Sequence, residues 1–522
     1  MYTERIAVID IGSNTIRLVI YGINEYFDID ELHNIKTPAR LAECFEVIDN
    51  QQIINETGYE RILEALIGFK EVIDRFEVTT IKAMATEAMR QASNRSEIID
   101  RVAKETDINI HVISGEQEAT YGQYAVTHTT TLDDAITIDM GGASTEITRF
   151  IDREMANSIS LPFGTVSLKE QFFEGKDHND PEAMEAVRKF LHDQFKDIGW
   201  LKKAKLPITA MGGSARNIAN VHQRMINYPI AGIHGYMLTS ETLNDTLDNF
   251  INTEYKKMND IDGLSNDRID IIIPATLAFI ELCKVVKTDE VYISTQGLRE
   301  GIIIHHINQT YNVPIDNQQI KVRTISQIAR KLPVNLMGSF LRINFCINLY
   351  QQMCRLGIQE YSYAQHTELE FAAYLYRMGA FISDESDSEH TFYLLSNMNL
   401  YGFSHKRRLR LALIASFRNK SLFKQHLADF EGWFTPDEIN QIFDMCSLLK
   451  FSVALNNSRT NPISHLQLNR LDDDHFELNI YHDRPVIAEE YRTSRHKKHF
   501  ERALKGNLTI NFIDTSLEHK GE

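Results

Sequence analysis

The sequence predicts an α/β protein in which two similar lobes precede a helical domain and a small α+β domain. Three observations support this class. Apolar β-rich runs alternate with helical periodicity through the first 300 residues, one strand–turn–strand pattern occurs twice, and the chain becomes mainly helical after about residue 315. A chain of 522 residues is too long to fold around a single hydrophobic core, so several domains are expected. We place the domains at residues 1–125, 126–312, 313–457 and 458–522.

The first lobe opens with a predicted β-hairpin. Residues 6–10 and 16–21 are apolar, β-rich runs on either side of a Gly-Ser-Asn turn. Apolar side chains recur at helical spacing through residues 58–75, which predicts a helix there. Residues 80–85 and 108–114 read as short strands, each followed by a helix.

The opening pattern recurs in residues 136–148. In both copies a β run ends in an aspartate, Asp10 or Asp139, a glycine-bearing turn follows, and the chain returns as a strand. This repeat indicates an internal duplication. A third glycine turn, at residues 210–214, precedes a helix predicted for residues 215–225.

The rear of the chain has a different pattern. Residues 318–455 show helical periodicity with few strand signals. The end predicts strands at residues 466–470, 476–481 and 508–512, with a charged helix over residues 486–504 between the last two strands.

Charge and composition exclude several classes of protein. The net charge of −17 divides into −18 for residues 1–314 and +1 for residues 315–522. An acidic front half argues against nucleic-acid binding, and it requires a local site or a metal ion to meet any anionic substrate. The five cysteines are scattered, and no signal peptide or membrane span is predicted, so we expect a cytoplasmic protein.

The repeated turns are candidate phosphate sites, because glycine lets backbone N–H groups approach a phosphate closely. An aspartate at a strand end can simply cap a turn, but the recurrence of Asp10 and Asp139 favours a divalent cation held beside phosphate oxygens. Glu146 lies on the second return strand and could equally be an outward-facing polar residue.

Residues 110–120 run from a strand through a turn into a helix that carries Glu116 and Glu118. Acidic side chains in a first helical turn are favoured by the helix dipole, but one of them could orient an attacking water. Spacing alone does not choose between the two. Arg90 also follows a strand; its guanidinium could bind phosphate oxygens, or it could be an ordinary surface arginine.

Several stretches together resemble one known family. They are residues 6–18, 85–94, 113–119, 138–146, 163–167, 211–214, 268–275 and 294–301. In family order they resemble the exopolyphosphatase/guanosine-pentaphosphate phosphatase (Ppx/GppA) family of the actin-like superfamily. The resemblance covers residues 1 to about 305 and implies two actin-like (ribonuclease H-like) lobes.

The resemblance also implies roles for individual residues. Glu118 aligns with the catalytic carboxylate of the family, and Gln117 stands where many members carry another glutamate. Magnesium (or manganese) is expected beside Asp139, Glu146 and Asp10. The expected phosphate-binding residues are Gly12, Ser13, Asn14, Arg90, Gly141, Gly142, Ser144, Gly212 and Ser214. Two positions depart from the family pattern, since Ala143 and Ala215 replace glycines; both are tolerable where φ is negative.

The helical domain resembles the metal-dependent phosphohydrolase type named for its His-Asp (HD) pair. Where that metal pair would lie, residues 373–379 read Ala-Tyr-Leu-Tyr-Arg-Met-Gly. His390 remains, but it alone cannot build a two-metal site. We therefore expect an HD-like domain that is structural or guides substrate. Basic clusters at residues 405–410 and 492–505 are either solvated helix faces or an electrostatic path for a long polyanion.

These observations predict an exopolyphosphatase that removes terminal phosphates from inorganic polyphosphate processively and with Mg²⁺. The alternatives are a guanosine pentaphosphate (pppGpp) 5′-phosphohydrolase, a sugar or acetate kinase, and a non-catalytic binder of polyphosphate or alarmone. As partners we expect polyphosphate, or pppGpp in the alternative, and a second copy in a homodimer, with neither nucleic acid nor membrane.

Overall fold

The computed structural model describes residues 2–312, 319–332 and 336–516. The chain divides into two compact units, the first made of residues 1–228 and 233–320 and the second of residues 229–232 and 321–522. The domain boundary predicted after residue 312 borders residues 313–318, which lie outside the described residues. The four-domain division stays a prediction.

A five-stranded sheet forms the first half of the first unit, in the order β3-β2-β1-β6-β7. Its strands are β1 (Tyr2–Ile11), β2 (Thr15–Asn24), β3 (Ile29–Pro38), β6 (Thr80–Ala85) and β7 (Ile110–Val112), and β4 (Phe45–Ile48) with β5 (Gln51–Ile54) forms a separate hairpin. The helices are α1 (Glu56–Arg75), α2 (Glu87–Gln91), α3 (Arg95–Thr106) and α4 (Gly115–Thr127). The predicted opening hairpin and the helix ending at residue 75 are confirmed.

Helix α1 illustrates why these elements form where they do. The Asn55 side chain accepts a hydrogen bond from the Gly58 backbone N–H at 3.1 Å and caps the helix. From there Ile62, Leu66 and Phe69 recur at spacings of three and four and are buried against the sheet. Helix packing therefore follows directly from the periodicity of the sequence.

The second half of the first unit repeats this strand order and adds one edge strand, giving β10-β9-β8-β11-β13-β12. Its strands are β8 (Ala135–Met140), β9 (Thr145–Ile151), β10 (Glu154–Leu161), β11 (Ile208–Met211), β12 (Met237–Leu238) and β13 (Val291–Ile293). Its helices are α5 (Thr165–Phe173), α6 (Pro181–Asp197), α7 (Gly212–Met225), α8 (Ser240–Asn252) and α9 (Ile272–Val286), followed by α10 (Leu298–Tyr311). The repeated order supports the predicted duplication. In both sheets the first two strands along the chain form a hairpin, and an aspartate lies near the end of the first of these strands.

Helix α10 returns from the second sheet to the first. Its apolar residues Ile302, Ile303 and Ile307 are buried in one cluster with Ile6 and Val8 of β1. It also packs closely on α4, since a Cβ atom at Gly301 would lie 1.9 Å from the Tyr121 carbonyl oxygen. Only glycine fits there, so this contact fixes α4 relative to the first sheet.

The second unit is mainly helical and ends in a small sheet. Its helices are α11 (Ile320–Lys331), α12 (Leu336–Arg355), α13 (Tyr363–Leu375), α14 (Asp387–Asn397), α15 (His405–Ala415), α16 (Lys420–Leu427), α17 (Pro436–Ala454) and α18 (Ile487–Leu504). Strands β14 (Ile463–Arg470), β15 (His475–His482) and β16 (Asn507–Asp514) form the sheet, in which β15 and β16 are parallel and α18 connects them. The strand and helix order predicted for this end of the chain is confirmed. No helix in residues 2–312, 319–332 and 336–516 has the length and apolarity needed to cross a bilayer.

Candidate active site

The two repeated turns have the same backbone hydrogen bond. The Gly12 N–H donates to the Thr15 carbonyl oxygen at 3.1 Å, and the Gly141 N–H donates to the Ser144 carbonyl oxygen at 2.9 Å. The turns approach each other across a cleft in the first unit, because a Cβ atom at Gly142 would lie 3.8 Å from the Ser13 Cβ. Gly12, Ser13, Asn14, Gly141, Gly142 and Ser144 all line this cleft, as predicted for a shared site.

Asp10 and Asp139 end the two central strands and lie in the same cleft. Arg299 donates to Asp10 Oδ2 at 3.2 Å. Burial raises the pKa of both aspartates, and their mutual repulsion raises the pKa of Asp139 further, whereas Arg216 lowers it. Close packing also surrounds Asp139, since a Cβ atom at Gly212 would lie 2.7 Å from its Oδ1 atom.

Helix α4 brings Glu118 into the cleft and leaves Glu116 outside it. The Ser114 hydroxyl accepts from the Gln117 N–H at 3.1 Å, and the Gln117 side chain accepts from the Ser114 N–H at 3.0 Å. This capping box fixes the first turn and gives Gln117 a structural role. The Glu118 side chain is 15% exposed and lines the cleft, whereas Glu116 is exposed to solvent.

The surroundings of Glu118 make it a stronger base than an ordinary glutamate. Burial raises its pKa well above the usual value, the nearby Glu146 carboxylate raises it further, and Arg90 opposes both effects. Glu146 is buried too, which together with Asp139 raises its pKa to about 7, while a hydrogen bond from Ser160 at 2.8 Å favours its ionised form. A carboxylate with a raised pKa can accept a proton from water near neutral pH.

Residues 19–310 match the family model described as the Ppx/GppA phosphatase family, and residues 320–492 match the model of domain III of Ppx/GppA phosphatases. The chain belongs to the Ppx/GppA phosphatase family. This membership confirms the resemblance inferred from the sequence motifs.

Two curated relatives each match 58% of this Ppx/GppA protein. A putative exopolyphosphatase of Haemophilus influenzae is 28% identical over 302 residues, which cover 58% of this chain and 90% of the relative. A bifunctional 3-dehydroquinate synthase/phosphatase of Fusobacterium nucleatum is 28% identical over 309 residues, and the chain spans only 46% of that relative's length.

Two solved structures are similar to more than half of this family member. The crystal structure of the Aquifex aeolicus Ppx/GppA family member is 28% identical, with a TM-score of 0.52, and the match covers 58% of this chain and 97% of that one. The crystal structure of an exopolyphosphatase from Cytophaga hutchinsonii is 25% identical, with a TM-score of 0.52, and the match covers 60% and 99%.

Arg90, a predicted phosphate-binding residue, contacts carboxylates in this structure. Its Nη1 atom donates to Glu118 Oε2 at 2.9 Å and to the Ile113 carbonyl oxygen at 2.9 Å, and its Nε atom donates to Glu87 at 2.7 Å. The cleft is lined by Glu87 and Glu118, with Arg90 behind them. In this conformation Arg90 orients a carboxylate, and its contact with phosphate stays a prediction.

The third glycine turn is the beginning of α7 itself, so the predicted helix starts three residues earlier than expected, at Gly212. Gly212 has φ +88°, a left-handed conformation that side chains disfavour, and it lines the cleft. Ser214 is fully buried, and its hydroxyl is without a hydrogen-bond partner in the described part of the chain. Ala143 and Ala215 both avoid positive φ, which is the condition for replacing the family glycines.

Sequence reasoning missed the cationic lining of the cleft. In the described residues, five cationic side chains line it: Arg17, Lys36, Arg216, Arg268 and Arg299. A signal for Arg17 was present, because it lies seven residues after Asp10, at the offset that separates Glu146 from Asp139. In both hairpins the two residues at this offset pair across the strands.

The carboxylates of the cleft suit a hard divalent cation in their chemistry. Asp10, Asp139 and Glu146 line one cleft and offer only oxygen donors, as Mg²⁺ requires. Within residues 2–312, 319–332 and 336–516, however, three or more acidic, histidine or cysteine groups nowhere converge closely enough to coordinate a metal by themselves. This arrangement fits an ion that keeps several waters and also contacts substrate phosphates.

Proposed function

We propose that this protein is an exopolyphosphatase that hydrolyses the terminal phosphoanhydride of inorganic polyphosphate. The observation that carries the proposal is the Glu118 carboxylate, which is only 15% exposed, lines the same cleft as the two glycine turns and has a raised pKa. The similarity to an exopolyphosphatase from Cytophaga hutchinsonii, which extends over nearly all of that structure, supports it.

The terminal phosphoryl group would bind between the two turns. Backbone N–H groups around Gly12 and Gly142 can donate to its oxygens, and the hydroxyls of Ser13 and Ser144 extend the same cradle. Arg17 and Arg299 bring positive charge to the leaving phosphates. These contacts would hold the phosphorus atom in line with an attacking water.

Asp10, Asp139 and Glu146 would hold magnesium (or manganese). When bound, the ion supplies positive charge that neutralises phosphate oxygens during transfer. Glu146 can also accept a hydrogen bond from a water molecule while Ser160 holds its other side, which keeps that water within the cleft.

Glu118 would act as the general base. Its carboxylate takes a proton from the attacking water, the water oxygen forms a bond to the terminal phosphorus, and the bond from phosphorus to the bridging oxygen breaks. The electron pair of that bond leaves with the shortened chain, and orthophosphate carries the attacking oxygen. Repetition of this step on one chain would make the reaction processive.

The test measures phosphate release with Mg²⁺ from long-chain polyphosphate and from pppGpp. Glu118→Gln should lower kcat by roughly 10²–10⁴ and leave KM nearly unchanged. Glu116→Gln is the matched control, because it makes the same change on the exposed side of the same helical turn. Faster release from pppGpp would assign alarmone hydrolysis to the same site, and equal activity of the two variants would refute the base assignment.

The expected homodimer also stays a prediction, which light scattering of the purified chain would test.

A further inference from the structure

A cavity of about 440 Å³ in the second unit is lined by three arginines from three separate segments. Arg342 belongs to α12, Arg377 follows the end of α13, and Arg459 lies beyond the end of α17. The amides of Asn456 and Asn457 add further hydrogen-bonding groups to the lining. This volume is in the range of small-molecule sites, which is roughly 300–1,000 Å³.

The cavity carries more positive than negative charge. Arg377 forms an ion pair with the buried Asp387, and Asp384 is the one carboxylate among the described residues that line the cavity. Within the described part of the chain, Arg342 and Arg459 form no ion pair. Among the described residues, two guanidinium groups that line one cavity are therefore left without a carboxylate partner.

Arg342 is oriented by two side-chain hydrogen bonds in surroundings that lower its pKa. Its Nε atom donates to the Ala373 carbonyl oxygen at 2.6 Å, its Nη2 atom donates to the Ser339 hydroxyl at 2.9 Å, and its guanidinium lies 5.6 Å from the centre of the Tyr376 ring. Burial lowers the pKa of Arg342 to about 10, and the charges of the other two arginines act in the same direction. An anion bound in the cavity would relieve this repulsion.

A further cation, Lys450, contacts the hydroxyl of Tyr376. Lys450 donates to the Tyr376 hydroxyl at 3.5 Å, and burial and the charge of Arg377 lower its pKa. The basic cluster at residues 405–410 is different, because Lys406 and Arg410 are paired with Glu438 and Glu368. The arginines that line the cavity thus differ from this cluster, because Arg342 and Arg459 have no carboxylate partner among the described residues.

We propose that this cavity is a binding site for a small oxyanion of the phosphate or diphosphate class with at least two negative charges. Guanidinium groups that converge from three segments can each donate paired hydrogen bonds to phosphoryl oxygens. The anion could be free phosphate or diphosphate, or one end of a longer phosphate chain, and the recognition chemistry is the same.

The test is calorimetric titration of the full chain with methylenediphosphonate, a diphosphate analogue whose P–C–P bridge resists hydrolysis. Arg459→Glu and Asn457→Asp change exposed residues, so both variants should fold, and each places negative charge in the lining. Each should weaken binding at this site by about tenfold or more, because it removes or opposes charge-assisted hydrogen bonds. Arg355→Glu, an exposed charge reversal at the other end of α12, is the matched control and should change binding less than twofold.

Loss of one binding event in both lining variants, with the control intact, would support the site. Isotherms that superimpose for all three variants would overturn it. Competition with long-chain polyphosphate then identifies the source of the anion, since displacement of the analogue indicates a chain end and its retention indicates a free small anion. A negative result would leave the proposed hydrolase intact, because Glu118 belongs to the first unit and the cavity to the second.

Discussion

Replacing Arg90 with glutamine should change the pH dependence of hydrolysis more than substrate binding. Arg90 contacts Glu118 at 2.9 Å and lies 3.9 Å from Glu146, so it is the cation that most directly offsets two buried carboxylates. Without it, the pKa of Glu118 rises further, because burial and Glu146 already raise it. A base that must be ionised is then protonated over a wider pH range.

The magnitude follows from the geometry. Opposite charges about 4 Å apart interact with about 4 kcal/mol at an effective dielectric constant near 20, and an arginine beside a carboxylate shifts its pKa by about 1–3 units. The acid limb of the kcat/KM profile should therefore move to higher pH by about 1–3 units. Activity below the limb falls by the same factor, about 10- to 1,000-fold, and recovers at alkaline pH.

The assay is phosphate release from polyphosphate between pH 5 and pH 10, with Arg101→Gln as the control. Arg101 lies on α3 and pairs with Glu56 on the surface, so its loss removes an ion pair without touching the cleft. The family resemblance assigns Arg90 to substrate binding, which predicts a different result. A raised KM with an unmoved acid limb would refute the orienting role of Arg90.

Three further changes test the packing and the cation. Gly212→Ala should lower kcat about 100-fold by displacing Asp139, whereas Gly199→Ala, where a Cβ atom meets open space, should leave it unchanged. Gly68→Ala, on an open face within α1, should raise the free energy of unfolding by about 1 kcal/mol in denaturant titration. Mg²⁺ should raise the Tm more at pH 8 than at pH 5. The raised pKa values of Asp10 and Asp139 favour their protonated forms in acid, whereas a cation binds the ionised forms. An equal rise in Tm at the two pH values would count against these two aspartates as ligands.

Local patterns were sufficient to predict part of the fold. The alternation of β runs and helical periodicity located the opening hairpin, α1 and the terminal strands, because each of these buries one face whose period is visible in the sequence. The return of α10 to the first sheet was not visible, since it depends on long-range packing of Ile302 and Ile303 against β1. Tertiary contact of this kind leaves no local signal.

The part of the site that lies on the duplicated hairpin could be predicted from the sequence. Asp10 and Asp139 were found through the duplicated hairpin, and the structure brings both to one cleft. Spacing alone left Glu116 and Glu118 equivalent, and the family resemblance chose Glu118; the physical reason lies in the orientation of the first turn of α4, which the capping box sets. The environment of Arg90 could not be read from the sequence, because Glu118 and Glu146, two of its three carboxylate partners, come from segments that are distant along the chain.

The duplicated hairpins supply different charges to the cleft at equivalent positions. At equivalent positions of the two hairpins, Asp10 pairs across the strands with Arg17, whereas Asp139 pairs with Glu146. The first hairpin therefore offers a cation and a carboxylate, and the second offers two carboxylates. We expect phosphate oxygens to lie nearer Arg17 and the divalent ion nearer Asp139. If so, Arg17→Gln should raise KM with little change in the metal concentration required, and Glu146→Gln should raise that metal requirement; exchange of the two effects would contradict this division.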